Sequence, residues 1–375
     1  MGSSSVITLS GDLLEGYDEL YDNYSSFYNS SYDYCCAGGD VCDLNENMHF
    51  GAVFIPVLYS VVFFVGVLGN GVLLGVLFQC RKTWSVTDTF ILHLALADIL
   101  LLLTLPFWTA QAVQGWTFGT PFCKIIGAVT TINFYCGIFL LACISLDRYM
   151  SIVHATQMYS RRKPWMVQVS CLAVWLFSML LSTPDWIFLE AKEDDRRLIT
   201  ECVRNYLMFA SQSLHDWRLA SRVLYHTVGF LLPSAVLIFC YSCILWQLRC
   251  GSHSLQKQKA FKVIMAVVVV FFLCWTPHNI TLMVDTLYSE SSRETCGARK
   301  SLEKAIIITT CLGYVHCSLN PILYAFVGVK FRRQLWQILR SLGCKLKISA
   351  KLQAASSRRS SIWSESADTS KSIAI

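Results

Sequence analysis

Lysine and arginine are missing from the first fifty residues, which nevertheless hold nine carboxylates and six tyrosines. So one-sided a segment suits a basic partner, and no nucleic-acid partner is expected. Charge is scarce along the whole chain, 15% against about a quarter in soluble domains, and hydrophobic residues reach 54%. With a mean hydropathy of +0.47, this composition excludes a soluble globular domain. Residues 1–30 lack the basic start and apolar core of a cleavable signal peptide, so the first apolar run is expected to direct its own insertion. Repeats of about 20–50 residues are missing too, as are a second folded domain and the paired halves common in transporters. No metal-spaced His/Cys cluster and no nucleophile motif with its partners occurs, which argues against an enzyme.

What the chain does hold is seven apolar runs, roughly 53–79, 88–113, 123–147, 165–189, 221–248, 260–286 and 302–327. Each is long enough to cross about 30 Å of hydrocarbon as helix. Basic residues gather at Arg81-Lys82, Arg161-Arg162-Lys163, Arg249 to Lys262 and Lys330 to Lys347. The positive-inside rule puts those segments in the cytoplasm, the N-terminus outside and the Ser-rich tail inside. Residues 1–50 carry −9; the rest, with all 31 basic and 16 of the 25 acidic residues, carries +15.

Polar side chains at membrane depth are costly and usually face the bundle interior. Asn70, Asp98, Asn133 and Asn320 fall inside the first, second, third and seventh runs and could form one buried cluster. Asp147-Arg148-Tyr149 ends the third run, Cys274-Trp275-Thr276-Pro277 lies in the sixth, and Asn320-Pro321-Ile322-Leu323-Tyr324 in the seventh. Three such motifs in order, each at its own depth, resemble the rhodopsin-like class of G protein-coupled receptors. An arginine beside an aspartate at the membrane edge can be held in one state and released in another. Pro277 removes a helix hydrogen bond and should kink the sixth helix beside Trp275 and Phe271. The resemblance further implies a packing relay of Ile138, Pro233 and Phe271, with Tyr241 and Tyr324 as switch tyrosines. It also implies an allosteric sodium ion at Asp98 and Asn133, the one cofactor in prospect. Gly137, His316 and Cys317 stand where other members often place hydroxyl or amide ligands.

The resemblance aligns Thr130 with the counter-ion position of amine receptors and Tyr314 with the retinal lysine of opsins, so neither chemistry is available. Thr104-Leu105-Pro106-Phe107-Trp108, Trp116-Thr117-Phe118-Gly119, the Ile152-Val153-His154-Ala155 run and His316-Cys317 resemble chemokine receptors instead. Thr310, Asp185, Asp285, Arg218 and Arg222, with the Ser31-Tyr32-Asp33-Tyr34 arm, the run Phe326 to Arg332 and the tail Ser357 to Glu365, most resemble the branch of CXC receptors whose ligands are the interferon-induced CXC chemokines. Two departures stand out, Gln111 for an acidic residue at the outer second span and Thr130 for an aromatic, while Thr310 stands where many chemokine receptors have a glutamate. Ligand contacts are then implied for Tyr32, Tyr34, Tyr59, Trp108, Asp185, Arg218, Arg222, His278, Asp285 and Tyr314. Asp185 and Asp285 are expected to meet the ligand's positive charge.

Six of 17 cysteines fall outside by this topology, where thiols oxidise. The resemblance implies bridges Cys123–Cys202 and Cys42–Cys296. Cys42 is preferred because it lies close to the first run; Cys35 or Cys36 would close a looser loop, and that pair stays unassigned. Tyr32 and Tyr34 sit among carboxylates in the setting that sulfation favours, and Asn23 and Asn29 head glycosylation sequons. Cys344, after the amphipathic segment Phe331 to Leu342, is a candidate for palmitoylation.

The expected fold is an all-α seven-transmembrane bundle over 53–329, with an acidic arm at 1–52, a short amphipathic eighth helix at 330–343 and a Ser/Thr-rich tail at 344–375. The resemblance implies a plasma-membrane receptor that captures a basic CXC chemokine, activates an inhibitory-type heterotrimeric G protein, and is phosphorylated by receptor kinases to recruit arrestin, driving leukocyte chemotaxis. The alternative is a scavenging chemokine receptor that internalises ligand without G-protein signalling. Against it, the Asp-Arg-Tyr region is intact apart from Ser151, where alanine is common.

Overall fold

The computed structural model describes residues 45–79, 84–154, 164–194, 199–206, 214–250, 255–288 and 295–327, together with 332 and 335–337. Among them, seven helical spans are long and apolar enough to cross a membrane: Glu46–Gln79, Val86–Gln114, Gly119–Ile152, Trp165–Phe188, Trp217–Cys250, Ile264–Tyr288 and Cys296–Tyr324. The protein is a seven-span helical bundle, and each span contains the run expected for it or most of that run. Several helices overrun their apolar runs because polar residues extend them. The seventh begins at Cys296, where Arg299 and Glu303 pair one turn apart at 3.8 Å.

The first span packs on the second and seventh and the sixth on the seventh, while the third touches the second, fourth and fifth. Its central place shows in burial: 67% of its apolar window is enclosed, more than in any other span. Polarity is inverted relative to a soluble protein. Leu68, Leu172, Leu180, Ile238, Trp246 and Leu273 are more than half exposed, whereas Asn70, Asp98 and Asn133 are sealed inside. Such a surface suits hydrocarbon, where packing and internal hydrogen bonds hold helices together.

Prolines shape the spans through the carbonyls they leave unpaired. The second span divides into Val86–Leu102 and Leu105–Gln114 just before Pro106. Thr104 bridges the break, its N–H and hydroxyl both donating to the Leu101 carbonyl at 2.8 and 2.6 Å. In the fifth span a π-helical turn, Thr227–Leu231, precedes Pro233, which cannot donate to the Gly229 carbonyl. In the seventh, Pro321 leaves the Cys317 carbonyl without its helical donor. Asn70 of the first span supplies one, Nδ2 donating at 2.9 Å, and the neighbouring Gly69 makes room: a Cβ there would lie 2.7 Å from the Pro321 ring.

The described residues depart from an all-helical fold in one place. Leu189–Asp194 (β1) and Ile199–Arg204 (β2) form an antiparallel hairpin with Ala191 opposite Cys202. It caps one end of the bundle, called here the hairpin end. The amphipathic segment 330–343 lies almost wholly outside the described residues; 332 and 335–337 are helical.

Candidate functional site

The hairpin is pinned by a disulfide between Cys123, at the start of the third span, and Cys202 on β2, the first bridge expected from sequence. Trp116 is buried beneath it. Its backbone N–H donates to the Thr200 carbonyl at 2.6 Å and its indole to the Gly119 carbonyl at 2.9 Å. Gly119 has φ +75°, a left-handed conformation that only glycine adopts cheaply. Gln111 accepts the Cys202 N–H at 3.1 Å, so this unexpected neutral residue helps to seat the strand.

Cys202 and Arg204 share a strand face, since side chains alternate along a strand. The bridge therefore also directs Arg204, whose Nη2 and Nε reach Asp185 Oδ1 at 2.5 and 2.7 Å. Asp185 in turn raises the pKa of the Arg204 guanidinium. On the other side, Asp285 Oδ2 receives Arg218 at 3.1 Å and Arg222 at 3.2 Å, and Oδ1 faces Arg299 at 3.5 Å. Both aspartates expected to meet a ligand's positive charge are thus already paired within the chain. Arg204 and Arg299 were not anticipated; the i+2 spacing of Arg204 from Cys202 was the available signal for the first.

Between these ion pairs lies a cavity of about 320 Å³, lined among others by Thr130, Asp185, Arg204, Arg222, Trp275, His278, Thr310 and Tyr314. A second, of about 720 Å³, is lined by Tyr59, Trp108, Gln111 and Glu201 and shares Thr310 and Tyr314 with the first. Of the expected contact residues, Tyr59, Trp108, Asp185, Arg222, His278 and Tyr314 line one or both. Arg218 and Asp285 stand in the ion-pair cluster beside Arg222. Trp108 donates to Thr130 at 3.2 Å, and His278 lies 3.3 Å from the Thr310 hydroxyl, so both threonines are hydrogen-bonded in the lining.

Trp275 lines the cavity and stands among Phe134, Phe271 and His316, with ring centroids 4.8, 6.3 and 5.6 Å away. Ile138, Phe271, Pro233, Tyr241 and Tyr324 are all buried in the bundle. At the opposite end, Arg148 lies 3.4 Å from Asp147 and also donates to the Thr87 hydroxyl of the second span. Tyr241 sits 3.1 Å from the Ser145 hydroxyl, and Tyr149 is 3.0 Å from His154. Thr87 was not foreseen, because contacts between spans leave no periodic trace in sequence.

Between cavity and Arg148 lies a buried polar hub. Asp98 Oδ2 accepts from Asn320 at 2.8 Å; Oδ1 faces Cys317 Sγ at 3.2 Å, Asn133 Nδ2 at 3.5 Å and His316 Nε2 at 3.6 Å. A sodium ion needs a cage of oxygens. The nitrogen of His316 and the sulfur of Cys317 take two of the places beside this carboxylate and Gly137 contributes no side-chain oxygen, so even with the Asn133 amide oxygen nearby the donor set suits sodium poorly.

Cys296 is disulfide-bonded, but Cys42, its expected partner, lies outside the described residues. So do Tyr32, Tyr34, Asn23, Asn29 and Cys344.

Known proteins resemble the chain along nearly all of its length. The family model described as 7 transmembrane receptor (rhodopsin family) matches residues 69–324. A Homo sapiens protein named C-X-C chemokine receptor type 3 is 44% identical over 357 residues, covering 94% of this chain and 95% of its own. The type 2 receptor of Oryctolagus cuniculus is 39% identical over 361 residues, covering 95% and 97%. The type 5 receptor of Homo sapiens is 39% identical over 367 residues, covering 95% and 96%. The chain belongs to the rhodopsin-like seven-transmembrane receptors and, within them, to the CXC chemokine receptors. These are receptors rather than enzymes, and the chain is a multi-pass membrane protein.

Proposed function

We propose that this chain is a cell-surface receptor for CXC chemokines of the interferon-induced type, with its N-terminus and hairpin outside the cell. Ligand entry into the cavity activates an inhibitory-type heterotrimeric G protein. Phosphorylation of the Ser/Thr-rich tail by receptor kinases then recruits arrestin, and the cell responds by chemotaxis. The supporting observation is the placement of Trp275, whose ring lines the cavity and packs against Phe134, Phe271 and His316 of three different spans. A ligand that moves it biases packing that runs toward Arg148, provided it contacts the active bundle better than the resting one. The acidic arm accounts for capture: its −9 charge steers a basic chemokine and raises the encounter rate.

The test applies a panel of CXC chemokines to cells expressing the chain while inhibitory G-protein activation and ligand uptake are both followed. Interferon-induced CXC chemokines are expected to give both responses. Uptake without G-protein activation would convert the assignment to scavenging, and silence to every member of the panel would remove the ligand class.

The resting state makes its own prediction through Thr87. A charge-assisted hydrogen bond, about 1.5 kcal/mol at the low end, restrains Arg148 there, so Thr87→Val should raise ligand-free nucleotide exchange about tenfold. Unchanged basal exchange would remove Thr87 from this role.

A further inference from the structure

Asp98, His316 and Cys317 converge in the middle of the bundle, each no more than 1% exposed, and neither ligand capture nor Arg148 release uses the ring nitrogen or the sulfur. We propose that they form three ligands of a tetrahedral zinc(II) site that joins the second span to the seventh.

The histidine is already oriented for such a role. A backbone carbonyl can only accept, so His316 Nδ1, 2.5 Å from the Gly313 oxygen, carries the proton and donates. That is how metal-bound imidazoles are commonly held, and it leaves Nε2 as the available nitrogen. Nε2 faces Asp98 Oδ1 at 3.6 Å and Cys317 Sγ at 3.4 Å, while the sulfur lies 3.2 Å from the same oxygen. With zinc bonds of about 2.0 Å to nitrogen or oxygen and about 2.3 Å to sulfur, tetrahedral ligands stand about 3.3–3.5 Å apart. The three atoms therefore already outline one face of such a tetrahedron. Nε2 and the Asp98 oxygen face each other across this gap, where one cation can accept both lone pairs. The Asn133 amide, which also contacts Asp98, keeps a buried Oδ1 without a hydrogen-bond partner beside the site.

Chemistry and charge select the ion. One oxygen, one nitrogen and one sulfur suit a borderline-soft cation and not sodium, magnesium or calcium. Binding deprotonates Cys317, and the proton leaves to solvent. Zinc(II), thiolate and carboxylate then sum to zero charge, which a site at membrane depth tolerates far better than an isolated ion. The ion clamps the second span to the seventh next to the His316 ring, itself 5.6 Å from Trp275 and 5.7 Å from Phe271. Its binding opposes movement of that packing.

The test uses the full purified chain in nanodiscs, stripped with chelator and titrated with zinc(II), or with cobalt(II) as a spectroscopic substitute. Cobalt should give a near-ultraviolet thiolate charge-transfer band and the visible bands of a four-coordinate ion, both displaced by zinc. At about a hundredfold excess over its Kd, zinc should raise the thermal midpoint by about 5–10 °C. Cys317→Ser and His316→Gln should each lose the shift, and Cys317→Ser also the charge-transfer band, with metal-free midpoints reporting whether the variants fold. The bands or the shift persisting in Cys317→Ser would overturn the site. Should the variants not fold, zinc-edge X-ray absorption of the wild-type protein decides: one sulfur among nitrogen and oxygen neighbours is expected, and a shell without sulfur or with sulfur alone overturns it. None of these readouts involves a chemokine, so their failure and that of the receptor reading are separable.

Discussion

Arg148→Ala should leave chemokine binding within a few-fold of wild type and reduce G-protein activation to about a tenth or less. Arg148 lies at the end of the third span remote from the hairpin, 8% exposed, with Asp147 at 3.4 Å and the Thr87 hydroxyl as its partners. No atom of it lines either ligand cavity, so capture has no direct use for it. What it offers is a guanidinium that, once freed, can bond a partner's carbonyls or carboxylates. A hydrogen bond to a charged group contributes about 1.5–3 kcal/mol, and 1.4 kcal/mol is about tenfold in an equilibrium. Radioligand binding on membranes and nucleotide exchange on purified G protein measure the two effects separately. Retained exchange would take Arg148 out of the coupling step.

Asp285→Asn should be the most damaging single change at the hairpin end. The carboxylate is 7% exposed and is the shared counter-charge of Arg218, Arg222 and Arg299. Neutralising it leaves Arg218 and Arg222 facing an amide that can accept from only one side, while Arg299 keeps Glu303 at 3.8 Å. Removing one partner of a buried ion pair costs about 3–5 kcal/mol. Here the arginines keep between 19% and 34% of their side-chain exposure, and water meets part of their demand, so the low end of about 3 kcal/mol applies. The thermal midpoint should fall and chemokine affinity with it. Adding Arg222→Gln to Asp285→Asn should restore part of the midpoint, because one surplus charge is then removed. An unchanged midpoint in the single variant would show that the cluster is held by solvent instead.

These two predictions differ in how far the sequence alone could have reached them. Asp147-Arg148-Tyr149 was readable as a motif at a stated depth, and Arg148 falls where the motif put it. Asp285 was readable as a residue at the mouth of the sixth span, but not its state. Sequence reading offered it as a receiver of ligand charge, whereas three arginines from the fifth and seventh spans already occupy its oxygens. Pairings between residues 63 and 67 positions apart depend on how helices rotate about their axes, which hydropathy does not encode. Thr87 and Arg204 were missed for related reasons: one acts across two spans, the other sits on a strand whose pairing and seat against the third span leave no trace in hydropathy.

By itself the sequence determined the seven spans, the depth of each motif and the separation of charge along the chain, while the disulfide at the hairpin end was legible only through the family resemblance. It could do so because hydrocarbon thickness and the cost of burying charge act on each stretch of about twenty residues independently of the rest. Only the tertiary structure decided which polar groups meet: Asn70 on the carbonyl that Pro321 frees, Arg148 on Thr87, three arginines on Asp285, and Asp98 facing His316 and Cys317. Those meetings depend on helix rotation and register, which are fixed by packing among all seven helices at once.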